Sequence, residues 1–160
     1  MSNKDNASMQ LPKPDPALKR LDVFVGSWTI KGRTLDSKED NIVGKTTFEW
    51  LPGGFFLQQR IELDFAGMIK IHSLELIGYD SETKAFSSSV YSNLSPVPLP
   101  YKWDLQDDTL TISVSYGPMD ATFKGKLSKD GESFSGGWRP NPGADETVNV
   151  PYDVGGTRVK

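Results

Sequence analysis

Phe24-Val25-Gly26-Ser27-Trp28-Thr29-Ile30-Lys31-Gly32 is the stretch on which the fold turns. An apolar run ends at Gly26, and from Trp28 the side chains alternate. Trp28, Ile30, Gly32 and Thr34 share one face of a strand; Thr29, Lys31 and Arg33 share the other. Upstream the period is helical. Asp15-Pro16 has the form of an N-cap followed by proline at the first helical position. Leu18, Leu21 and Val25 then fall on one stripe, and Gly26 ends it. These residues predict a short helix over 17–25, with an apolar stripe suited to closing one end of a barrel.

Downstream the chain reads as strand after strand. Ile42 to Leu51 is followed by the turn signal Pro52-Gly53-Gly54. Phe55 to Phe65 alternates clearly, with Leu57, Gln59, Ile61, Leu63 and Phe65 opposite Gln58, Arg60, Glu62 and Asp64. Met68 to Tyr79 is apolar on both faces, so its period does not say which face points inward. Ala85 to Ser92, Tyr101 to Gln106, Thr109 to Gly117, Ala121 to Leu127 and Glu132 to Trp138 follow. Hairpin signals sit at Asp107-Asp108 and Lys129-Asp130-Gly131, and Asn93 to Pro100 reads as an irregular loop. Thr147 to Tyr152 is the predicted closing strand. About ten strands at short, even spacing predict an antiparallel up-and-down β-barrel. The expected organisation is a flexible arm over 1–16, a barrel domain over 17–153 and a frayed tail over 154–160.

Composition narrows the function classes. The chain has 160 residues, room for one domain with a core. Apolar residues make up 36%, and a strand with one face in water needs few. The net charge is −3 with no basic run, which argues against a nucleic-acid partner. Cysteine is absent, which removes thiol catalysis and zinc–thiolate sites and fits the cytoplasm. No apolar window has the length of a membrane span, and the first residues do not read as an export signal. No cofactor, metal site or membrane partner is therefore expected, and a homodimer stays open.

Three segments carry a family resemblance: Leu21-Asp22-Val23-Phe24-Val25-Gly26-Ser27-Trp28, Trp50-Leu51-Pro52-Gly53-Gly54-Phe55-Phe56-Leu57 and Leu76-Ile77-Gly78-Tyr79-Asp80. In that order they resemble a bacterial family of lipocalin-like (calycin-type) domains of unknown function. The first is also similar to the opening of fatty-acid-binding-protein barrels. The resemblance implies a lipocalin-like barrel over roughly residues 18–140 and leaves the activity open. Nitrobindin-like haem barrels open on a similar Gly-x-Trp step and hold iron through a late histidine. Here the one histidine is His72, in mid-chain, which argues against haem.

Candidate site residues follow from polarity inside the strands. Gln59 interrupts an apolar face and would need a partner there, which a ligand could provide. Arg60 lies on the opposite face; it is a surface residue unless that side lines the barrel, where it would anchor an anion. His72 is in phase with Lys70, Leu74 and Leu76. It is a general base if that face lines the cavity and a surface polar residue if it does not. Tyr91, Trp103, Tyr116 and Trp138 are candidates for a pocket wall, against plain core filling. Trp28 is expected to pack the closed end, and Ser87-Ser88-Ser89 to make room in the cavity.

The preferred reading is binding of a small, largely apolar molecule inside the barrel. One alternative is a cofactor-free isomerase or cyclase acting by enclosure, with His72, Tyr91 and Tyr116 as acid/base groups. Another is a protein-interaction module, which would have a filled barrel and an exposed apolar patch.

Overall fold

The computed structural model describes residues 9–160. Ten strands follow one short helix: β1 (Gly26–Thr34), β2 (Ile42–Trp50), β3 (Leu57–Phe65), β4 (Ile69–Asp80), β5 (Ala85–Ser92), β6 (Leu99–Gln106), β7 (Thr109–Tyr116), β8 (Met119–Leu127), β9 (Ser133–Pro140) and β10 (Tyr152–Arg158). Each strand pairs antiparallel with the next, and β10 pairs with β1, so the sheet closes on itself. The predicted up-and-down barrel is the observed architecture. No helix among the described residues is long and apolar enough to cross a membrane.

The helix is of the 3-10 type and spans Pro16–Phe24. Asp15 caps it as expected, accepting a hydrogen bond from the Ala17 amide at 2.9 Å. The buried positions are Leu18, Leu21 and Phe24. That spacing of three is the period of a 3-10 helix, and it brings Phe24 rather than Val25 onto the packed stripe. Beneath the helix Trp28, Leu57 and Ile77 are fully buried.

The helix closes one end, as the stripe predicted. Four ties hold it there. The Trp50 indole donates to Asp22 Oδ1 at 2.8 Å. Arg20 donates to the Leu105 carbonyl. Arg158 donates to the carbonyls of Val23 and Val25, and its guanidinium lies 4.2 Å from the centre of the Trp28 ring. The Ser81 hydroxyl donates to the capping Asp15 at 2.8 Å.

The C-terminal expectation needs correction. The closing strand is Tyr152–Arg158, not 147–152, and residues 154–158 are paired strand rather than frayed tail. Residues 147–150 lie instead in a loop held by Asn149. Its side chain accepts from the Asp120 amide at 2.9 Å and donates to the carbonyls of Pro118 and Asp145. The arm predicted over 1–16 lies outside the described residues up to residue 8. Residues 9–14 are exposed without regular structure, and Pro16 already belongs to the helix.

Candidate functional site

The strand faces that point inward do not fill the barrel. They enclose a cavity of about 1340 Å³ that opens at the end opposite the helix. Its wall is mainly aliphatic and aromatic, with Ile61, Leu63, Val90, Leu99, Ile112 and Phe123 among the side chains. Phe24 stands edge-on to Trp103, with ring centres 5.9 Å apart. Trp138 packs between Tyr101 at 5.8 Å and Phe123 at 5.6 Å. The mouth is formed by Ala66 to Ile69, Leu94 to Val97, Tyr116 to Met119 and Thr147 to Val150.

Polar groups converge at one place on this wall. Glu75 comes from the middle of β4, where Ile71, Ser73 and Glu75 share the inward face. Its Oε2 accepts the Ser88 hydroxyl at 2.5 Å and the Trp103 indole N–H at 2.8 Å. Burial pushes the Glu75 carboxyl above its ordinary range, against the two hydrogen bonds, which pull it down. Tyr101 lies close enough to feel Glu75: its phenol is pushed up to about 12, by burial first and by the charge of Glu75 second. Tyr152 is likewise pushed up, by burial and then by Tyr101.

Gln59 stands beside Glu75. The two are register partners across β3 and β4, both on the inward face. The Thr46 hydroxyl donates to the Arg60 carbonyl at 2.9 Å, so its oxygen accepts from Gln59 Nε2 at 3.1 Å. That assignment turns Gln59 Oε1 away from Thr46.

Three of the expected site residues line the cavity wall: Gln59, Trp103 and Trp138. Tyr116 is in phase with the inward residues of β7 but lies at the rim, about half exposed. The other three face outward. Arg60 and His72 are exposed on the outer face, and Tyr91 alternates with the inward Val90. On β4 the inward set is the odd-numbered one, which turns His72 and Lys70 to solvent. The inward face of β3 is the Gln59 face, which rules Arg60 out as an anchor inside the cavity. Of the three serines only Ser88 points inward; Ser87 and Ser89 are exposed.

Glu75, Tyr101 and Tyr152 are the site residues that alternation alone did not mark. The available signal was a lone acid flanked by Leu74 and Leu76. On a strand apolar on both faces it had no assigned side. Of the outer leucines of β4, Leu76 shares a surface groove with Phe56, which the 51–56 turn folds over Gly78, where a Cβ would come within 2.8 Å of the ring.

Residues 13–135 match the model of a family described as "protein of unknown function (DUF1579)". No curated protein matches the chain. Among solved structures, a fluorescence-activating β-barrel designed de novo is 12% identical. It covers 86% of this chain and 95% of its own, with a TM-score of 0.47. Rv2717c from M. tuberculosis is also 12% identical, covering 92% of this chain and 100% of its own, with a TM-score of 0.46.

Proposed function

The chain belongs to the DUF1579 family, whose function is unknown, so the functional reading comes from the cavity itself: we propose that the barrel binds a small, largely apolar molecule. The observation that carries this is the enclosed cavity of about 1340 Å³ with an apolar wall and one polar cluster. Apolar area drives binding in such a site, and a few polar groups fix orientation. We also read the barrel as lipocalin-like. That reading is supported by the capped helix at the closed end and by Arg158 stacked on Trp28 after the Gly-x-Trp step.

Two other readings have less behind them. For an isomerase or cyclase, His72 and Tyr91 face away from the cavity and Tyr116 lies at its rim, so none of these acid/base candidates stands inside. For an interaction module, the apolar mouth supplies an exposed patch, but the barrel is not filled.

The test uses an uncharged naphthalene fluorophore, whose emission rises on entering an apolar enclosure. Val90 is buried and lines the cavity. Val90→Trp narrows the cavity beside Glu75 and is expected to weaken fluorophore binding while circular dichroism still shows a folded barrel. Absence of any emission increase with the unaltered protein would defeat the reading.

A further inference from the structure

The polar cluster has a hydrogen-bonding sense, and that sense selects a ligand. Two donors are already engaged by Glu75, and the Tyr101 hydroxyl near it makes no hydrogen bond within the described residues. The Ser88 hydroxyl and the Trp103 indole both donate to Oε2. Gln59 points an amide hydrogen at Thr46, whose own hydrogen goes to the Arg60 carbonyl. Among the described residues, no donor reaches Glu75 Oε1 or Gln59 Oε1. Glu75 leans towards Ser88 and Trp103 on one side, and Gln59 leans towards Thr46 on the other. The cluster therefore offers Glu75 Oε1 to the cavity as an unpaired acceptor.

Charge points the same way. The charged residues lining the cavity are Asp36, Glu75, Lys126 and Arg139. Asp36, Lys126 and Arg139 are exposed and have partners elsewhere. Thr34 donates to Asp36 at 2.6 Å, Lys126 pairs with Asp108 at 3.9 Å, and Arg139 pairs with Asp153 at 2.7 Å. Among the described residues, no cation faces Glu75. A carboxylate enclosed by apolar walls is costly unless a counter-charge or a proton reaches it.

We propose that the molecule bound here carries a protonated amine on an apolar body, and that Glu75 Oε1 receives the ammonium group. The proposal rests on the cavity-binding reading and adds the chemical class. An ammonium brings three donors and the missing positive charge. A neutral alcohol brings one donor and no charge. A carboxylate would stand against Glu75 as a like charge. A ketone offers only an acceptor, which the Tyr101 hydroxyl can meet, and it brings no charge to Glu75.

The test is a calorimetric titration at neutral pH with four probes of equal chain length: octylamine, octan-1-ol, octan-2-one and octanoate. Octylamine is expected to bind roughly tenfold or more tightly than the alcohol, as a charge-assisted hydrogen bond would give. Octanoate is expected to bind weakest. Glu75→Gln keeps the shape of the side chain and should bring the amine down to the affinity of the alcohol, leaving the alcohol unchanged. A ketone or alcohol that binds as tightly as the amine overturns the amine proposal and leaves the cavity reading standing. So does amine binding that is indifferent to Glu75→Gln in a folded variant. Failure of all four probes to bind overturns both. Should Glu75→Gln not fold, the ranking of the four probes on the unaltered protein decides.

Discussion

The two ends of this barrel are built on opposite rules. At the helix end large apolar side chains are driven inward, and Trp28 is 1% exposed. Backbone carbonyls there are covered by arginines: Arg20 serves Leu105, and Arg158 serves Val23, Val25 and Gly131. At the other end Met68 is 86% exposed, and Leu94, Val97, Val148 and Val150 stand out into solvent around the opening. The loops there are pinned by short polar contacts, such as those of Asn93 with the backbone of His72 and Lys70. One end gains stability from burial. The other gives up burial and keeps an apolar entrance. The difference gives the helix end a structural part and, on the proposed binding reading, makes the mouth the route of exchange.

Substitutions should divide along the same line. Trp28→Ala removes a buried indole that donates to the Phe24 carbonyl at 2.9 Å and packs edge-on to Phe134. It should cost about 3–5 kcal/mol in chemical denaturation. A loss as small as that of a surface change would mean that the helix end does not hold the fold. Arg158→Ala strips several carbonyls of their donor and should cost about 1–3 kcal/mol. Fluorescence of Trp28 should shift to the red in the same variant, because its ring face loses its cover.

Between the ends lies Glu75, and its effect depends on pH. Its folded pKa is raised above the ordinary 4.5, so the folded state holds this proton more tightly than the unfolded chain. The stability cost is absent where Glu75 is protonated in both states, below the ordinary value. It grows as pH rises towards the folded value and is constant above it. Glu75→Gln should therefore melt at a temperature that rises relative to the original protein as pH increases from acid to neutral. Parallel melting curves across that range would show that the carboxyl is not held above its ordinary value. The smallest effect is expected at the mouth. Met68→Ser should change stability by no more than about 0.5 kcal/mol. It should slow entry of the naphthalene fluorophore in stopped flow, and an unchanged rate would remove the mouth as the route of access.

The legibility of the sequence follows the same division. Alternation is clean where one face meets water, so β1, β3 and β7 and the hairpins between later strands could be read directly from it. The helix could be read too, although a spacing of three set its type and exchanged Val25 for Phe24. β4 could not be oriented, because Leu74 and Leu76 make its outer side apolar too, Leu76 beside Phe56 of the 51–56 turn. The side chains of Glu75 and His72 were thereby hidden from the pattern. β10 was missed for a different reason. Val154-Gly155-Gly156 lacks the side chains that advertise a strand, and its pairing rests on backbone bonds to both neighbours. Gly156 must stay bare, because the Phe134 ring occupies the place where its Cβ would stand. The polar cluster escaped because its members come from different strands. Only the register brings Glu75 beside Gln59, Ser88 and Trp103.

The ring of strands has one seam of its own kind. Every other ladder joins neighbours in the chain, while the seam joins Thr29 to Thr157 across 128 positions. Hairpins can zip in order as the chain emerges from the ribosome, because short loops close quickly. The seam has to wait for β10, the last of the ten strands to be synthesised. Until then β1 and β9 are open edges flanking a half-made pocket, able to pair with another chain. Any delay in the pairing of β10 lengthens that exposure, so closure of the ring rests on its last strand.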